Sequence, residues 1–380
     1  MEKSQNHKKT KVILGLSGGV DSASSLIKLI ENGYDVEAMF MRNWDSAANN
    51  DYLGNPNVNE SICPQEKDYM DAKAVAEKLG VKLHRVDFVE EYWEDVFEHF
   101  LDEYRKNRTP NPDIACNKFI KFKSFLEKAL ELGADYIAMG HYARVIHDGD
   151  KHYLLRGLDG NKDQTYFLSG LKSDQIKYAL FPIGEMEKPD VRALAEKYDL
   201  PIAHKKDSTG VCFIGERNFK EFLTNYIPAK PGNMVTVDGK VVGRHDGVMY
   251  YTIGQRKGLG IGGPGEAWFV VGKNAQRNEL IVGQGDQQEM LYANRVILTD
   301  VNIINNDIEE GEHITAKFRY RQPDVGITVH FLDNNKVEVI TDVPTKAITP
   351  GQACVFYRGE YCLGSGTIDE VFMNDTKRSY

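Results

Sequence analysis

The chain has 380 residues, with 47 Lys and Arg against 56 Asp and Glu, for a formal net charge of −9. At roughly 100–200 residues per domain this length predicts two or three domains, with a core that needs no disulfide or metal staple. A composition of 41% hydrophobic and 27% charged residues excludes disordered, collagen-like and fibrous chains, and the acidic excess taken alone argues against a surface wholly devoted to nucleic acid.

No apolar run approaches the roughly 18 residues of a membrane span. The polar opening Met1–Thr10 predicts no signal peptide. Five sparse cysteines suit reduced thiols. These features together predict a cytoplasmic location with no membrane association.

In chain order, Val12–Leu16 reads as a strand and Ser22–Asn32 as a helix, with Asp35–Met41 as the next strand. Two helices follow, Gln65–Leu79 and Glu90–Tyr104, with apolar residues at helical spacing (Met70, Ala74, Val75, Leu79; Trp93, Val96, Phe97, Phe100). Lys82–Asp87 between them and Tyr136–Gly140 further on read as strands, the latter after a helix over Phe119–Leu132. Another helix starts at Lys188-Pro189-Asp190. Strands separated by helices predict an α/β fold with a doubly wound, Rossmann-like parallel sheet, whose ligands bind at the carboxyl ends of the strands.

Beyond about Gly215 the texture changes to short strands with Gly, Asn and Asp punctuation. A hairpin is expected around Asp238-Gly239, and further strands over Ala267–Gly272, Glu279–Val282, Ile314–Tyr320, Ile327–Leu332 and Lys336–Ile340. This pattern suggests a β-barrel or sandwich. The expected boundaries lie near 217 and 283, giving 1–217 as the catalytic domain, 218–283 as a small central domain and 284–380 as a C-terminal β-barrel.

The charge is unevenly placed. Glu60–Glu103 holds 13 acids and 5 bases, whereas Arg105–Lys123 holds six bases and one acid, Asp113. An acidic protein can therefore present a local basic surface, expected here around Cys116.

Gly15-Leu16-Ser17-Gly18-Gly19-Val20-Asp21-Ser22 is the most specific local feature, set between a strand and a helix. Glycines admit phosphate oxygens close to the backbone, and free N–H groups at a helix start donate to them. Ser17 and Ser22 add hydroxyls, and Asp21 could hold the metal that accompanies a nucleotide. The Gly-Lys-Ser/Thr of a Walker loop is missing. The segment resembles instead the PP-loop of ATP pyrophosphatases, Ser-Gly-Gly-x-Asp-Ser, which implies cleavage of ATP between its α and β phosphates.

Cys116 and Cys212 both sit beside lysines in polar segments, and Cys116 is expected just ahead of the helix beginning near Phe119. Positive charge and a helix N-terminus both favour a reactive thiolate. Neither has a Cys or His partner at zinc-site spacing, so no tightly bound metal is expected. Cys63, Cys354 and Cys362 read as structural or incidental.

With these residues in place, nearly the whole chain resembles the bacterial tRNA-specific 2-thiouridylase family. The motifs, in the family's order, are Ser17–Ser22; Asn111-Pro112-Asp113 with Cys116; Gly140-His141-Tyr142-Ala143-Arg144; Lys162-Asp163-Gln164; Ser208–Phe213 with Cys212; Tyr251–Lys257; Arg319-Tyr320-Arg321; and Pro350-Gly351-Gln352. The resemblance implies ATP-dependent thiolation, with Mg²⁺ accompanying the nucleotide, at C2 of the wobble uridine in tRNAs for Lys, Glu and Gln. It implies that Cys212 carries a persulfide loaded by a cysteine desulfurase or relay protein. Cys116 would then be the partner thiol and Asp113 an acid/base near the target base. Gly15–Ser22, Met41 and Gly140 would hold ATP. Asn111, Pro112, Asp113, His141, Lys162, Asp163, Gln164, Arg319, Tyr320 and Gln352 would meet tRNA. Two rivals remain open on the loop alone: a PP-loop synthetase acting on a small metabolite, and a non-catalytic nucleotide- or RNA-binding module.

Overall fold

The computed structural model describes residues 9–57, 59–60, 62–207, 210, 212, 214–215, 217–286 and 288–379. Four residues of the Ser208–Phe213 motif (Ser208, Thr209, Val211 and Phe213) lie outside the described residues, as does most of the polar N-terminal decapeptide. The chain forms two compact units, one of residues 1–95 and 113–217, the other of 96–112 and 218–380.

In the first unit, β1 (Lys11–Gly15), β2 (Asp35–Arg42), β3 (Leu83–Asp87), β4 (Tyr136–Ala138) and β7 (Ala179–Leu180) form an all-parallel sheet in the order β3-β2-β1-β4-β7. A two-stranded hairpin, β5 (Ala143–Asp148) with β6 (Lys151–Arg156), lies between β4 and β7 in the chain. The sheet is buried on both faces, as βαβ crossovers require. Val12, Leu14, Ala38 and Phe40 pack with Ala23, Leu26 and Ile27 of the helix Val20–Glu31 and with Val191 and Ala195 of the helix Lys188–Lys197. The alternate residues Ile13, Met39 and Ile137 are buried without belonging to that cluster, as the twofold period of a strand demands.

The helix Pro64–Leu79 buries Ala72, Val75 and Ala76. Met70, expected on that apolar face, is instead 51% exposed. The packed stripe runs through Tyr69, Ala72, Val75, Ala76 and Leu79, and Met70 sits about 100° round the helix from Tyr69.

In the second unit, β8 (Gly232–Thr236), β9 (Val241–His245), β10 (Trp268–Asn274) and β11 (Glu279–Gln284) make a sheet in the order β10-β11-β8-β9. The expected hairpin is β8–β9, turned at Asp238-Gly239 with Gly239 at φ 88°. Six further strands follow: β12 (Tyr292–Ile303), β13 (His313–Lys317), β14 (Val325–Phe331), β15 (Val337–Lys346), β16 (Ala353–Arg358) and β17 (Tyr361–Met373). They pair in the order β12-β15-β14-β13-β16-β17, and β17 pairs back with β12, closing a six-stranded antiparallel barrel. Closure removes exposed strand edges, and a short β18 (Thr376–Lys377) extends β17 as a terminal hairpin. The barrel has its own core, including Cys354, Phe318 and Phe356. A separate cluster of Met234, Val270, Leu280 and Val282 fills the smaller sheet.

Candidate active site

The strand order reverses between β1 and β4, and in open parallel sheets the ligand crevice lies at the carboxyl ends of the strands flanking such a switch. The predicted phosphate loop leaves β1 there. Gly18 stands at φ 75°, a left-handed backbone that favours glycine, and a Cβ on it would lie 2.3 Å from the Asp68 carbonyl oxygen. The Ser22 hydroxyl donates to the Gly19 carbonyl at 3.0 Å and accepts from the Ser17 N–H at 3.2 Å, folding the loop over the start of the helix. Gly140, two residues past β4, packs so closely that a Cβ would meet the Ser22 nitrogen at 2.9 Å. A Cβ on Gly15 would stand 3.5 Å from the Met41 methyl. Gly15, Ser17, Gly18, Gly19, Ser22, Met41 and Gly140, distant in sequence, thus come together at the carboxyl ends of β1, β2 and β4, and Leu16 and Val20 are buried.

Sequence reasoning missed the charges around this loop. The Asp21 carboxylate accepts from Lys188 Nζ at 2.7 Å and from the Tyr142 hydroxyl at 2.9 Å. Lys188 also pairs with Asp207, as do Lys162 and Arg192. Burial pushes the Asp207 carboxyl up, but hydrogen bonds from Lys162 and Lys188 outweigh it and hold its pKa at about 2. Lys205 Nζ donates to the Gly18 carbonyl at 3.2 Å and pairs with Asp68 and Asp71. Asp21, expected to hold a nucleotide's metal, is therefore ion-paired. Among the described residues no group of three or more His, Cys, Asp or Glu side chains could cage a metal.

The two expected cysteines meet across 96 residues of sequence, Sγ to Sγ 3.6 Å, both as free thiols. Cys116 does not precede its helix. The helix begins at Pro112 and passes through a π-helical stretch, Cys116–Ser124, before Phe125–Glu131. The helix-terminus argument for its reactivity therefore fails. Burial pushes the Cys116 thiol well above the ordinary 9.0, reinforced by the neighbouring Cys212. Cys212 goes the other way: the hydrogen bond from Cys116 lowers its pKa against the burial penalty, with Lys121 adding to the effect.

Three more side chains complete the thiol site. Asp113 Oδ1 accepts from the Cys212 N–H at 3.3 Å, and burial raises this carboxyl although Lys121 opposes it. The Tyr92 hydroxyl donates to the Cys212 carbonyl at 2.8 Å. The Lys121 charge also lowers the Cys212 pKa, and its ammonium stands 3.4 Å from His141 Nε2. Burial and the adjacent Lys121 charge hold His141 neutral. Its buried Nδ1 has no partner among the described residues. Tyr92 and Lys121 carried no sequence signal beyond an aromatic and a base at unremarkable positions.

The basic surface expected around Cys116 is largely neutralised. Arg105 pairs with Asp102 at 2.7 Å, Lys106 with Glu103 at 3.0 Å, Arg108 with Glu103 and Asp369, and Lys123 with Asp95 at 3.4 Å. The acids preceding this stretch thus quench much of it.

The residues expected to meet tRNA fall in several places. Asp163 is 6% exposed, and its carboxylate accepts from Thr165 and the Gly157 N–H. Gln164 accepts from the Tyr142 N–H. In the second unit, Arg319 donates to the Ile253 carbonyl and Thr349 hydroxyl at 2.6 and 2.8 Å. Tyr320 stacks beneath the Arg321 guanidinium. Gln352 donates to the Thr109 and Pro110 carbonyls, directly before Asn111 and Pro112. Most of these side chains therefore hold loops in place in addition to any role toward RNA.

An α/β unit with a phosphate loop at its topological switch and a paired thiol site is the framework of a nucleotide-dependent group-transfer enzyme. Comparisons with known proteins give it a family. Family models match in series: "tRNA methyl transferase HUP domain" over residues 10–216, "tRNA methyl transferase PRC-barrel domain" over 220–284 and "Aminomethyltransferase beta-barrel domain" over 293–368. A tRNA-specific 2-thiouridylase MnmA of Acholeplasma laidlawii is 53% identical over 375 residues, covering 98% of this chain and 100% of the relative. One from Geobacillus kaustophilus is 54% identical, covering 98% of each chain. The chain belongs to the tRNA-specific 2-thiouridylase family.

Proposed function

We infer that the chain is an ATP-dependent tRNA 2-thiouridylase acting on the wobble uridine of tRNAs for Lys, Glu and Gln. The carrying observation is the Cys116–Cys212 pair at 3.6 Å, one thiol buried and protonated, the other biased toward thiolate. A metabolite-activating PP-loop enzyme would leave that pair without a task. ATP phosphates would rest on the loop N–H groups and Ser17, between Gly18 and Gly140, with Mg²⁺ arriving on the triphosphate. The uridine C2 oxygen attacks the α-phosphorus, pyrophosphate leaves, and the oxygen becomes part of an AMP leaving group.

A sulfur-donor protein, either a cysteine desulfurase or a relay protein, loads Cys212 as a persulfide. Its terminal sulfur adds at C2 and AMP departs. The Cys116 thiol then attacks the Cys212 sulfur, its proton passing to the released 2-thiouridine, and a Cys116–Cys212 disulfide forms that a thiol reductant reopens. Asp113, a buried carboxyl with a raised pKa, suits the accompanying proton transfers. The orphaned His141 Nδ1 is a donor available to a base taken out of its stack. We also propose three domains, 1–217, 218–283 and 284–380, since one hydrophobic cluster lies in the first, one in the last, and a third in the central range apart from Ala347. The test is incubation with ATP, a sulfur donor and unmodified tRNA, measuring AMP and 2-thiouridine for wild type, Cys116→Ser and Cys212→Ser. Wild type is expected to make both products and neither variant to make 2-thiouridine. Thiolation surviving in either variant refutes the mechanism.

A further inference from the structure

Lysine is almost never fully buried without a counter-charge. Lys273, on β10, departs from that rule: it is 5% exposed, and its ammonium donates at 2.8 Å to the Asn107 carbonyl. Among the described residues no carboxylate stands within ion-pair distance of it, and its other two N–H groups have no protein acceptor. Lys273 lines a cavity of about 210 Å³ within the second unit, walled by the segment 106–108, by β17 and by β18. Three more bases line it: Lys106 and Lys377, both exposed, and Arg108. Each of those three has an acidic partner: Lys106 pairs with Glu103, Arg108 with Glu103 and Asp369, and Lys377 with Glu370. Lys273 is therefore the cavity cation left, among the described residues, without a carboxylate of its own.

We propose that this cavity binds a phosphate group through Lys273, supplied either by the tRNA backbone or as free inorganic phosphate. The tRNA source rests on the function proposed above. A phosphate oxygen would accept the unused N–H groups and supply the counter-charge that burial demands. Burial alone draws the Lys273 amine down to a pKa of about 7, and an anion beside it restores the charged form. The two carboxylates on the cavity wall, Asp369 and Glu370, are held by Arg108 and Lys377, so their charge is already balanced where a phosphate enters. Arg108 stands three residues before Asn111, which is expected to meet tRNA. A backbone phosphate seated here would fix the RNA strand a short length of chain from that motif.

Binding of unmodified tRNA to the full chain, measured from about 0.1 to about 1 M KCl, tests the backbone source. Each phosphate contact contributes about 0.7–0.9 to the slope of log affinity against log salt. Lys273→Met is expected to reduce the slope by that amount, which is about five- to eightfold weaker binding at 0.1 M salt and convergence with wild type near 1 M. Lys273→Arg, which keeps the cation, should keep the slope. A melting midpoint for Lys273→Met no lower than that of wild type checks the fold. A lysine that only holds the Asn107 carbonyl would weaken binding equally at every salt concentration, and that result overturns the backbone source. Inorganic phosphate added at constant ionic strength, without tRNA or ATP, tests the free source. A rise in the wild-type melting midpoint that is lost in Lys273→Met assigns the cavity to free phosphate. The proposal is overturned when neither the slope nor the phosphate response depends on Lys273. A wild type that does not bind tRNA refutes the proposed function instead, and the phosphate response then decides the site.

Discussion

Replacing Asp51 by Ala removes the acidic partner of Arg217 in a pair that is almost fully enclosed: side-chain exposure is 0% for Asp51 and 5% for Arg217. The guanidinium donates at 2.7 and 3.0 Å, and the same carboxylate accepts from the Trp44 indole at 2.9 Å. Removing one member of a buried ion pair costs about 3–5 kcal/mol. At about 2–4 °C per kcal/mol for a unit of this size, the melting midpoint should fall by roughly 6–20 °C. Urea unfolding followed by circular dichroism measures it directly, as a lower midpoint at unchanged slope. Asp51→Leu combined with Arg217→Met should recover a large share of the loss, because an apolar pair of similar volume removes both charges. The same pair anchors the chain five residues beyond Cys212, and Trp44 packs edge-on to Tyr92, whose hydroxyl holds the Cys212 carbonyl. Asp51→Ala should therefore also slow diamide-induced cross-linking of Cys116 to Cys212. A stability loss below about 1 kcal/mol would show that water solvates the guanidinium, and would refute the assignment of this ion pair as the anchor.

Gly18→Ala places a methyl group against the Asp68 carbonyl in a left-handed backbone, so AMP release with tRNA should drop below a tenth of wild type, with an unchanged far-ultraviolet spectrum as the check on folding. For Asp207 the folded pKa of about 2 lies below its ordinary 3.8. Its stabilising effect is therefore complete above about pH 4 and lost as pH falls toward 2. Asp207→Asn should lower the melting midpoint at pH 7, with the two curves converging near pH 2. Lys273 is 5% exposed, and burial holds its pKa at about 7 instead of 10.5. A depressed base destabilises the fold as pH falls through that interval, so Lys273→Met should raise the midpoint at pH 7 by more than at pH 10. A larger gain at pH 10 would reverse the sign and refute the assignment.

Much of the candidate site could be read before any coordinates. Gly15–Ser22 between an apolar run and a helix specifies a phosphate loop because both flanking elements and the glycine requirement are local. Cys116 and Cys212 stood out for their polar, lysine-bearing surroundings. The errors came from properties that depend on neighbours remote in sequence. The bases of Arg105–Lys123 read as an open surface, yet Asp102, Glu103, Asp95 and Asp369 pair with four of the six. Asp163, expected to meet RNA, also spends its carboxylate on its own loop, which the sequence does not show. The start of the Cys116 helix was misplaced because Pro112 at a first turn and the π-helical stretch leave no distinctive hydrophobic period.

The sequence by itself determined the alternation of strands and helices, the nucleotide loop, the change to β-structure and the family, since each is written in short-range pattern or in ordered motifs. Only the tertiary structure decided how the charges act. Cys116 and Cys212 meet across 96 residues, and Lys121 meets His141 across 20. A thiol's pKa is set by burial and by the charges within a few ångströms of it. Those neighbours come from distant parts of the chain, so composition could single out two cysteines but not which of them has the lowered pKa.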